Sequence, residues 1–249
     1  MPNTWTVVSI SLRNYKDISD TNLFDIDESI GIITETQELL FRVAQEFMLD
    51  SAEFDISFAY IHKNKIDFLL KFDTQLECSN PQRITSVFSS YSACSLFALL
   101  KTTIDIINDD GIVFSGDVPI FDVSIYSIPT KKVLISYFMD KQASCMKESL
   151  TEAYKHIIRR QTGKDYKKLK RNIYAVTPEI KLTAFTKFFE TTKKAVLNKN
   201  FLGSFICIEE DYIDIDRKDS LITKLITKDV DFVFDYSNIE TWINLVPIF

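Results

Sequence analysis

Two lysines that flank an asparagine are the residues of this sequence best placed to do chemistry. Apolar residues alternate over 54–60 and again over 66–72, and the polar stretch between them predicts a β-hairpin whose tip is Lys63-Asn64-Lys65. A pair of ammonium groups can hold phosphates directly, without a metal ion. The alternative is that Lys63 and Lys65 only solvate the turn, and the sequence leaves both interpretations open.

The acids near this tip are too scattered to predict a metal centre. Phosphoryl transfer with two Mg²⁺ ions needs carboxylates around cations about 4 Å apart. Asp67 follows on the second hairpin strand, roughly 6 to 7 Å beyond Lys65, and Asp17 and Asp55 are the other candidates. Ordinary surface acids are the alternative for all three, and two ammonium groups nearby would oppose a cation. We therefore predict no catalytic residue and no bound metal.

The remaining nucleophilic and metal-binding residue types form no recognisable arrangement. His62 and His156 are the 2 histidines, and neither lies near a serine or cysteine in a pattern typical of nucleophilic catalysis. The 4 cysteines are widely spaced and include no C-x-x-C pair, so neither structural zinc nor disulfides are indicated. With only 5 glycines, a glycine-rich phosphate loop is not indicated either.

Positive charge is concentrated in one part of an acidic chain. The formal net charge is −6, yet positions 155–199 hold 13 Lys and Arg against 3 acids. Such a segment can bind a polyanion locally while the rest of the surface repels it. A solvated helical face is the alternative, and Tyr166 and Tyr174 are candidates for stacking on bases. The candidate RNA-binding residues follow a turn at Gly163: Lys164, Lys167, Lys168, Lys170 and Arg171.

Six segments, in order along the chain, resemble those of one protein family. The first is Pro2-Asn3-Thr4-Trp5 with the apolar run after it, and the hairpin over 58–71 is the second. The others lie at 83–91, 121–124, 141–149 and 202–208. The family is that of the tRNA-His guanylyltransferases, polymerases that add nucleotides in the 3′ to 5′ direction. The resemblance runs from end to end and implies a palm domain, Mg²⁺ with GTP or ATP as cofactors, tRNA as partner and assembly into tetramers.

The matching positions lack the carboxylates that hold the metal ions in this family. The family's first aspartate falls on Ser11, and the serine, aspartate and glutamate of its hairpin motif fall on Lys63, Asn64 and Lys65. The resemblance therefore implies the family's fold and puts its chemistry in doubt. The candidate nucleotide- or phosphate-binding residues are basic positions and nearby serines: Arg13, Lys63, Lys65, Arg83, Ser86 and Ser90.

The elements that must position these residues follow from apolar periodicity. The pattern predicts, in order, a strand over 6–11, a helix over 34–49, the hairpin, a helix from Pro81 and a strand over 121–128. That order is typical of a palm or ferredoxin-like unit. Helices over 131–160 and 178–198 follow, with strands after 201. We predict an α+β fold, an antiparallel sheet with helices on one face, plus a helical, basic C-terminal half with added strands. The expected domains are 1–130 and 131–249, or one continuous domain.

The resulting hypothesis is a catalytically degenerate guanylyltransferase-like protein that binds RNA of the tRNA type or a protein partner. One alternative is an active Mg²⁺-dependent RNA nucleotidyltransferase with relocated ligands, and another is a regulatory subunit without a nucleic-acid role. We expect no cofactor, and the resemblance implies a homo-oligomer or a complex with a paralogue. Apolar runs are shorter than the roughly 18 to 20 residues of a membrane span, and no signal-peptide pattern is present. We therefore expect a cytoplasmic protein without a membrane partner.

Overall fold

The computed structural model describes residues 4–14, 35–49, 54, 56–70, 80–107, 118–162, 173, 175–188, 202–215 and 218–229. Within these ranges the strands are β1 (Trp5–Leu12), β2 (Ile56–His62), β3 (Lys65–Leu70), β4 (Phe121–Ile128), β5 (Ser204–Ile215) and β6 (Lys218–Asp229). The helices are α1 (Glu35–Leu49), α2 (Pro81–Ile107), α3 (Lys131–Thr162) and α4 (Pro178–Phe188).

The strands form one antiparallel sheet in the order β4-β1-β3-β2-β5-β6. Its first part, β1-α1-β2-β3-α2-β4, has the chain order and strand order of a ferredoxin-like unit. The predicted α+β palm is therefore confirmed. β5 pairs with β2 and β6 pairs with β5, so strands from the C-terminal half extend the palm sheet.

The two helices of the palm unit cover one face of the sheet. Alternate residues of the strands point to this face, among them Ile10 of β1 and Phe68 of β3, and both are fully buried. Phe47 of α1 lies against the rings of Phe68 and Phe88, at centroid distances of 4.8 and 5.0 Å. Asn80 caps α2, accepting a hydrogen bond from the backbone of Gln82 at 3.1 Å.

The helices of the C-terminal half cover the other face. Here Phe58 of β2 packs against Phe138 of α3 at a centroid distance of 5.0 Å. Leu134 and Leu150 of α3 and Phe185 of α4 belong to the same buried cluster. Because β2 and β3 are covered on both sides, their residues are buried on both faces. The long helix α3 is therefore the element that meets the hairpin from the side opposite α1 and α2.

Helix α2 is unusually long and apolar. Its Pro81–Thr102 part could cross a membrane by length and composition, the one such helix in the described part of the chain. Continuous apolar runs do not reveal this, because polar and apolar residues are interleaved along the helix. In the fold α2 contacts α1 and β4 and buries Ile84, Phe88, Leu96 and Leu100. These residues join the core, although only 28% of the apolar window is buried.

Gly203 allows β5 to join the sheet, and replacing it should destabilise the fold. Its φ is +87°, and an added Cβ would lie 2.6 Å from the backbone oxygen of Ile61 and 2.6 Å from the ring of Tyr60. We expect Gly203→Ala to lower the free energy of unfolding by about 1 to 3 kcal/mol through backbone strain alone. Urea denaturation measures this, with the exposed Ser86→Ala as a control expected to stay within about 0.5 kcal/mol. Equal stability of the two variants would contradict the prediction.

Candidate functional site

The hairpin turn is built from Lys63 and Asn64 and is tied to the end of β1. Lys63 has a φ of 53°, the left-handed conformation that two-residue hairpin turns require. The side-chain nitrogen of Asn64 donates to the backbone oxygen of Leu12 at 2.9 Å, and the Leu12 N–H donates to the backbone oxygen of Asn64 at 2.9 Å. The side-chain nitrogen of Asn64 therefore holds the turn against the end of β1.

The positions that match the family's metal ligands meet at this end of the sheet. Ser11 lies opposite Lys65 of β3 and opposite Asp122 of β4. Asp122 is the acid nearest to Ser11 in this register, and its carboxylate is bound by Arg13, whose Nε donates at 3.0 Å and whose Nη2 donates to the second oxygen. The hydrogen bond from Arg13 lowers the pKa of Asp122. Arg13 is thus engaged with a carboxylate.

This set of side chains does not fit Mg²⁺. The ion prefers an octahedral shell of oxygens that includes carboxylates. Ser11, Asn64 and Lys65 offer a hydroxyl, a neutral amide whose nitrogen is hydrogen-bonded to Leu12, and an ammonium, but no carboxylate. Among the residues that the structure describes, no group of three or more His, Cys, Asp and Glu could hold a metal ion.

Asp67 is buried beneath the hairpin tip and is surrounded by donors. It is fully buried, and its Oδ2 lies 2.9 Å from His62 Nε2. Burial alone would raise the pKa of Asp67, but the hydrogen bond from His62, the charge of Lys141 and a hydrogen bond from Ser9 together lower it. The carboxylate is therefore ionised at neutral pH and only accepts hydrogen bonds, which makes His62 Nε2 the donor. Asp67 has its oxygens directed into the protein.

Helix α3 supplies the rest of this network from one helical face. The Tyr137 hydroxyl donates to Asp67 Oδ1 at 3.2 Å, and Lys141, one turn later, places Nζ 3.8 Å from Oδ2. The same ammonium lies 4.8 Å from the ring centroid of Tyr137 and 5.7 Å from that of Tyr126. Burial raises the pKa of the Tyr137 hydroxyl, so it stays protonated and donates. We call Ser9, His62, Asp67, Tyr137 and Lys141 the Asp67 network.

A second contact fixes the hairpin tip to α3. Lys63 Nζ lies 3.5 Å from Glu148 and 3.2 Å from Glu152, which are one helical turn apart. The lysine side chain is only 15% exposed, so these ion pairs are partly shielded from water. Two carboxylates therefore already neutralise the ammonium that the sequence suggested as a phosphate ligand.

A cleft of about 280 Å³ lies between the tip and α3. Its lining includes His62, Lys65, Tyr137, Lys141 and Cys145. Lys65 makes no salt bridge to any acid within the described ranges, so it is the lysine of this wall with a charge left for a ligand. Burial raises the pKa of Cys145 to about 12. The thiol is therefore protonated at neutral pH and is a poor nucleophile.

The structure separates the remaining predicted site residues. Arg83, Ser86 and Ser90 are exposed on α2, away from the cleft lining, and the Ser90 hydroxyl donates to the Ser86 backbone oxygen at 2.8 Å. The predicted phosphate residues thus do not converge on one site. Asp17 and Asp55 lie outside the described residues, as do the RNA-binding candidates Lys164, Lys167, Lys168, Lys170 and Arg171.

The Asp67 network is a feature that sequence reasoning missed. A signal was present, because Asp67 is the one acid in the otherwise apolar run 66–70. A charged residue in a strand buried on both faces needs partners, since an isolated buried carboxylate is costly. The nearby His62 could have been proposed as one partner. Tyr137 and Lys141 could not, because their contact depends on how α3 packs.

Removing the charge of Asp67 should destabilise the protein. Asp67→Asn leaves Lys141 without its buried counter-charge, so we expect a loss of about 3 to 5 kcal/mol in the free energy of unfolding at pH 7. Asp122→Asn makes the same chemical change in an exposed pair and should have a much smaller effect. Urea denaturation of both variants tests this, and equal effects would contradict it.

The contribution of Asp67 to the free energy of unfolding should depend on pH. Because the pKa of Asp67 is lowered in the folded state, its stabilisation is complete above the ordinary aspartate pKa of about 3.9 and is lost as pH falls through the lowered value. The stability difference between wild type and Asp67→Asn should therefore shrink as the pH falls below about 4. A difference that persists unchanged at pH 2 would show that the charge of Asp67 is not responsible.

Several solved structures are similar to the structure of this chain. No protein-family model matches the sequence, and no curated protein matches it. The structure is similar to tRNA(His) guanylyltransferase from Saccharomyces cerevisiae, with a TM-score of 0.69 and 14% identity over 96% of this chain and 93% of that one.

Two structures of a bacterial tRNA(His) guanylyltransferase-like protein are also similar. The complex with ATP has a TM-score of 0.62 at 14% identity, and the complex with GTP has 0.65 at 10% identity. Each alignment covers 100% of this chain and 92% of the other. The likeness confirms the fold that the sequence resemblance implies: this chain has the palm-type fold of the tRNA(His) guanylyltransferases.

Proposed function

We propose that this protein is a catalytically degenerate relative of the tRNA(His) guanylyltransferases that binds RNA of the tRNA type and does not transfer nucleotides. One observation carries the proposal. The three positions that the resemblance assigns to metal-binding carboxylates, Ser11, Asn64 and Lys65, meet at the hairpin tip without a carboxylate among them.

Electrostatics at the tip supports the loss of two-metal chemistry. Lys65 brings a positive charge to the place where two divalent cations would have to sit. At an effective dielectric constant of about 20, an ammonium about 5 Å from a dication opposes it by several kcal/mol. The nearest buried acid, Asp67, already has His62, Tyr137 and Lys141 as partners. Relocated metal ligands, the enzyme alternative, would have to displace these contacts.

The distribution of charge favours RNA as the partner. The proteins of similar structure are named for their action on tRNA. In this chain the basic residues of 155–199 are set against an acidic remainder. Lys155 and Arg160 near the end of α3 and Lys187 on α4 lie on either side of the candidates at 164–171 in sequence. A protein partner would need an acidic surface to match this segment, whereas an RNA backbone supplies the charge by its chemistry.

Binding to tRNA should be electrostatic and unaccompanied by catalysis. With about four phosphate contacts, the dissociation constant should rise about a hundredfold between 50 and 200 mM salt. Fluorescence anisotropy with labelled tRNA measures this. Lys167→Gln/Lys168→Gln should weaken binding more than the matched pair Lys101→Gln/Lys132→Gln, which removes the same charge from α2 and α3. Salt-independent binding, or no binding, would contradict the proposal and favour a protein partner.

Nucleotide transfer should be absent under the same conditions. With Mg²⁺, labelled GTP and tRNA, we expect no incorporation above a control without protein, because the tip lacks carboxylates. Magnesium-dependent incorporation by the wild type would instead establish the alternative, an active nucleotidyltransferase with relocated ligands.

A further inference from the structure

A buried lysine lies where α4 packs on α3. Lys181 is only 3% exposed, and its Nζ donates to the Thr151 hydroxyl at 2.9 Å. The Thr151 hydroxyl in turn donates to the backbone oxygen of Lys147 at 2.7 Å. The single hydroxyl hydrogen is therefore used within α3, and the ammonium of Lys181 has two further N–H groups for other acceptors.

Two more lysines lie close enough to affect the charge of Lys181. Lys147 and Lys155 lie one helical turn before and one after Thr151, on the same stripe of α3. Burial lowers the pKa of Lys181, and the charges of Lys147 and Lys155 lower it further. Within the described residues, no acid forms an ion pair with Lys181. The arrangement thus brings like charges together around a buried ammonium.

The acids on this part of α3 are directed elsewhere. Glu148 and Glu152 lie on the neighbouring stripe and bind Lys63 of the hairpin. One stripe of the helix is therefore acidic and faces the tip, and the other is basic and lies beside α4. A buried ammonium with a neutral partner and cationic neighbours is costly, and an anion between them would remove that cost.

We propose that Lys147, Lys155 and Lys181, with Thr151 positioning the Lys181 ammonium, bind one phosphate group of the RNA backbone. A phosphate offers several anionic oxygens that accept charge-assisted hydrogen bonds from separate ammonium groups. This site specifies one contact of the proposed RNA binding, and it therefore rests on the proposed function. It also adds residues of α3 and α4 to the RNA-binding candidates at 164–171.

The first test removes the two flanking lysines and leaves the buried one in place. Lys147→Gln/Lys155→Gln is compared with Lys101→Gln/Lys132→Gln, which removes equal charge from exposed positions of α2 and α3. For labelled tRNA, we expect the first pair to weaken binding about tenfold and to reduce the slope of log K against log salt by about one. The control should change the affinity less than threefold.

The results of this test distinguish an error in the phosphate site from an error in the proposed function. If wild type binds tRNA and both pairs behave alike, the phosphate site is wrong and the proposed function stands. If wild type does not bind tRNA at all, the proposed function fails and the site, as an RNA contact, fails with it.

A second measurement tests the buried lysine without RNA. Inorganic phosphate, compared with chloride at equal ionic strength, should raise the melting temperature of wild type. Lys181→Met keeps the length of the side chain and removes its charge, so the variant should fold and lose this stabilisation. A Lys181→Met protein that phosphate stabilises as much as wild type would overturn the assignment. If phosphate stabilises the wild type but the wild type does not bind tRNA, then the phosphate group that this site binds does not come from an RNA backbone.

Discussion

A buried carboxylate in the middle of the sheet is the constraint on which the rest of this site depends. Asp67 is on β3, which is covered on both faces, so its charge must be balanced within the protein. His62 from the neighbouring strand and Tyr137 and Lys141 from α3 provide that balance. Since two of these partners are one turn apart on α3, the same contacts fix the rotation and position of that helix against the hairpin.

The position of α3 then decides what the remaining charged residues do. With Tyr137 and Lys141 on Asp67, the acidic stripe of Glu148 and Glu152 reaches Lys63 and holds the hairpin tip. The basic stripe of the same helix is left beside α4. The end of the sheet where the sequence resemblance would place metal ligands is thus joined by ion pairs within the protein, while the lysines of the basic stripe lie on another surface of α3. The proposed loss of catalysis and the proposed binding of RNA are therefore compatible in one fold.

Much of the fold could be predicted because it follows from local patterns. Period-two alternation identifies β1, the hairpin and β4, and helical periodicity identifies α3 to within two residues of its observed end at Thr162. The site was less predictable because its contacts are long-range: Tyr137 meets Asp67 across 70 residues of sequence. The lysines of the tip illustrate this. Lys63 is paired with two glutamates of α3 and Lys65 is not, although both occupy the same short motif.

We propose above all that the hairpin tip does not bind divalent cations. The most direct measurement is titration of ¹⁵N-labelled protein with Mn²⁺, whose unpaired electrons broaden the signals of amides near a bound ion. We expect the amide signals of Lys63, Asn64 and Lys65 to broaden no more than that of Ser124 in the middle of β4. Selective broadening of the tip amides at Mn²⁺ concentrations below that of the protein would contradict it, and would show that a metal site has been rebuilt there.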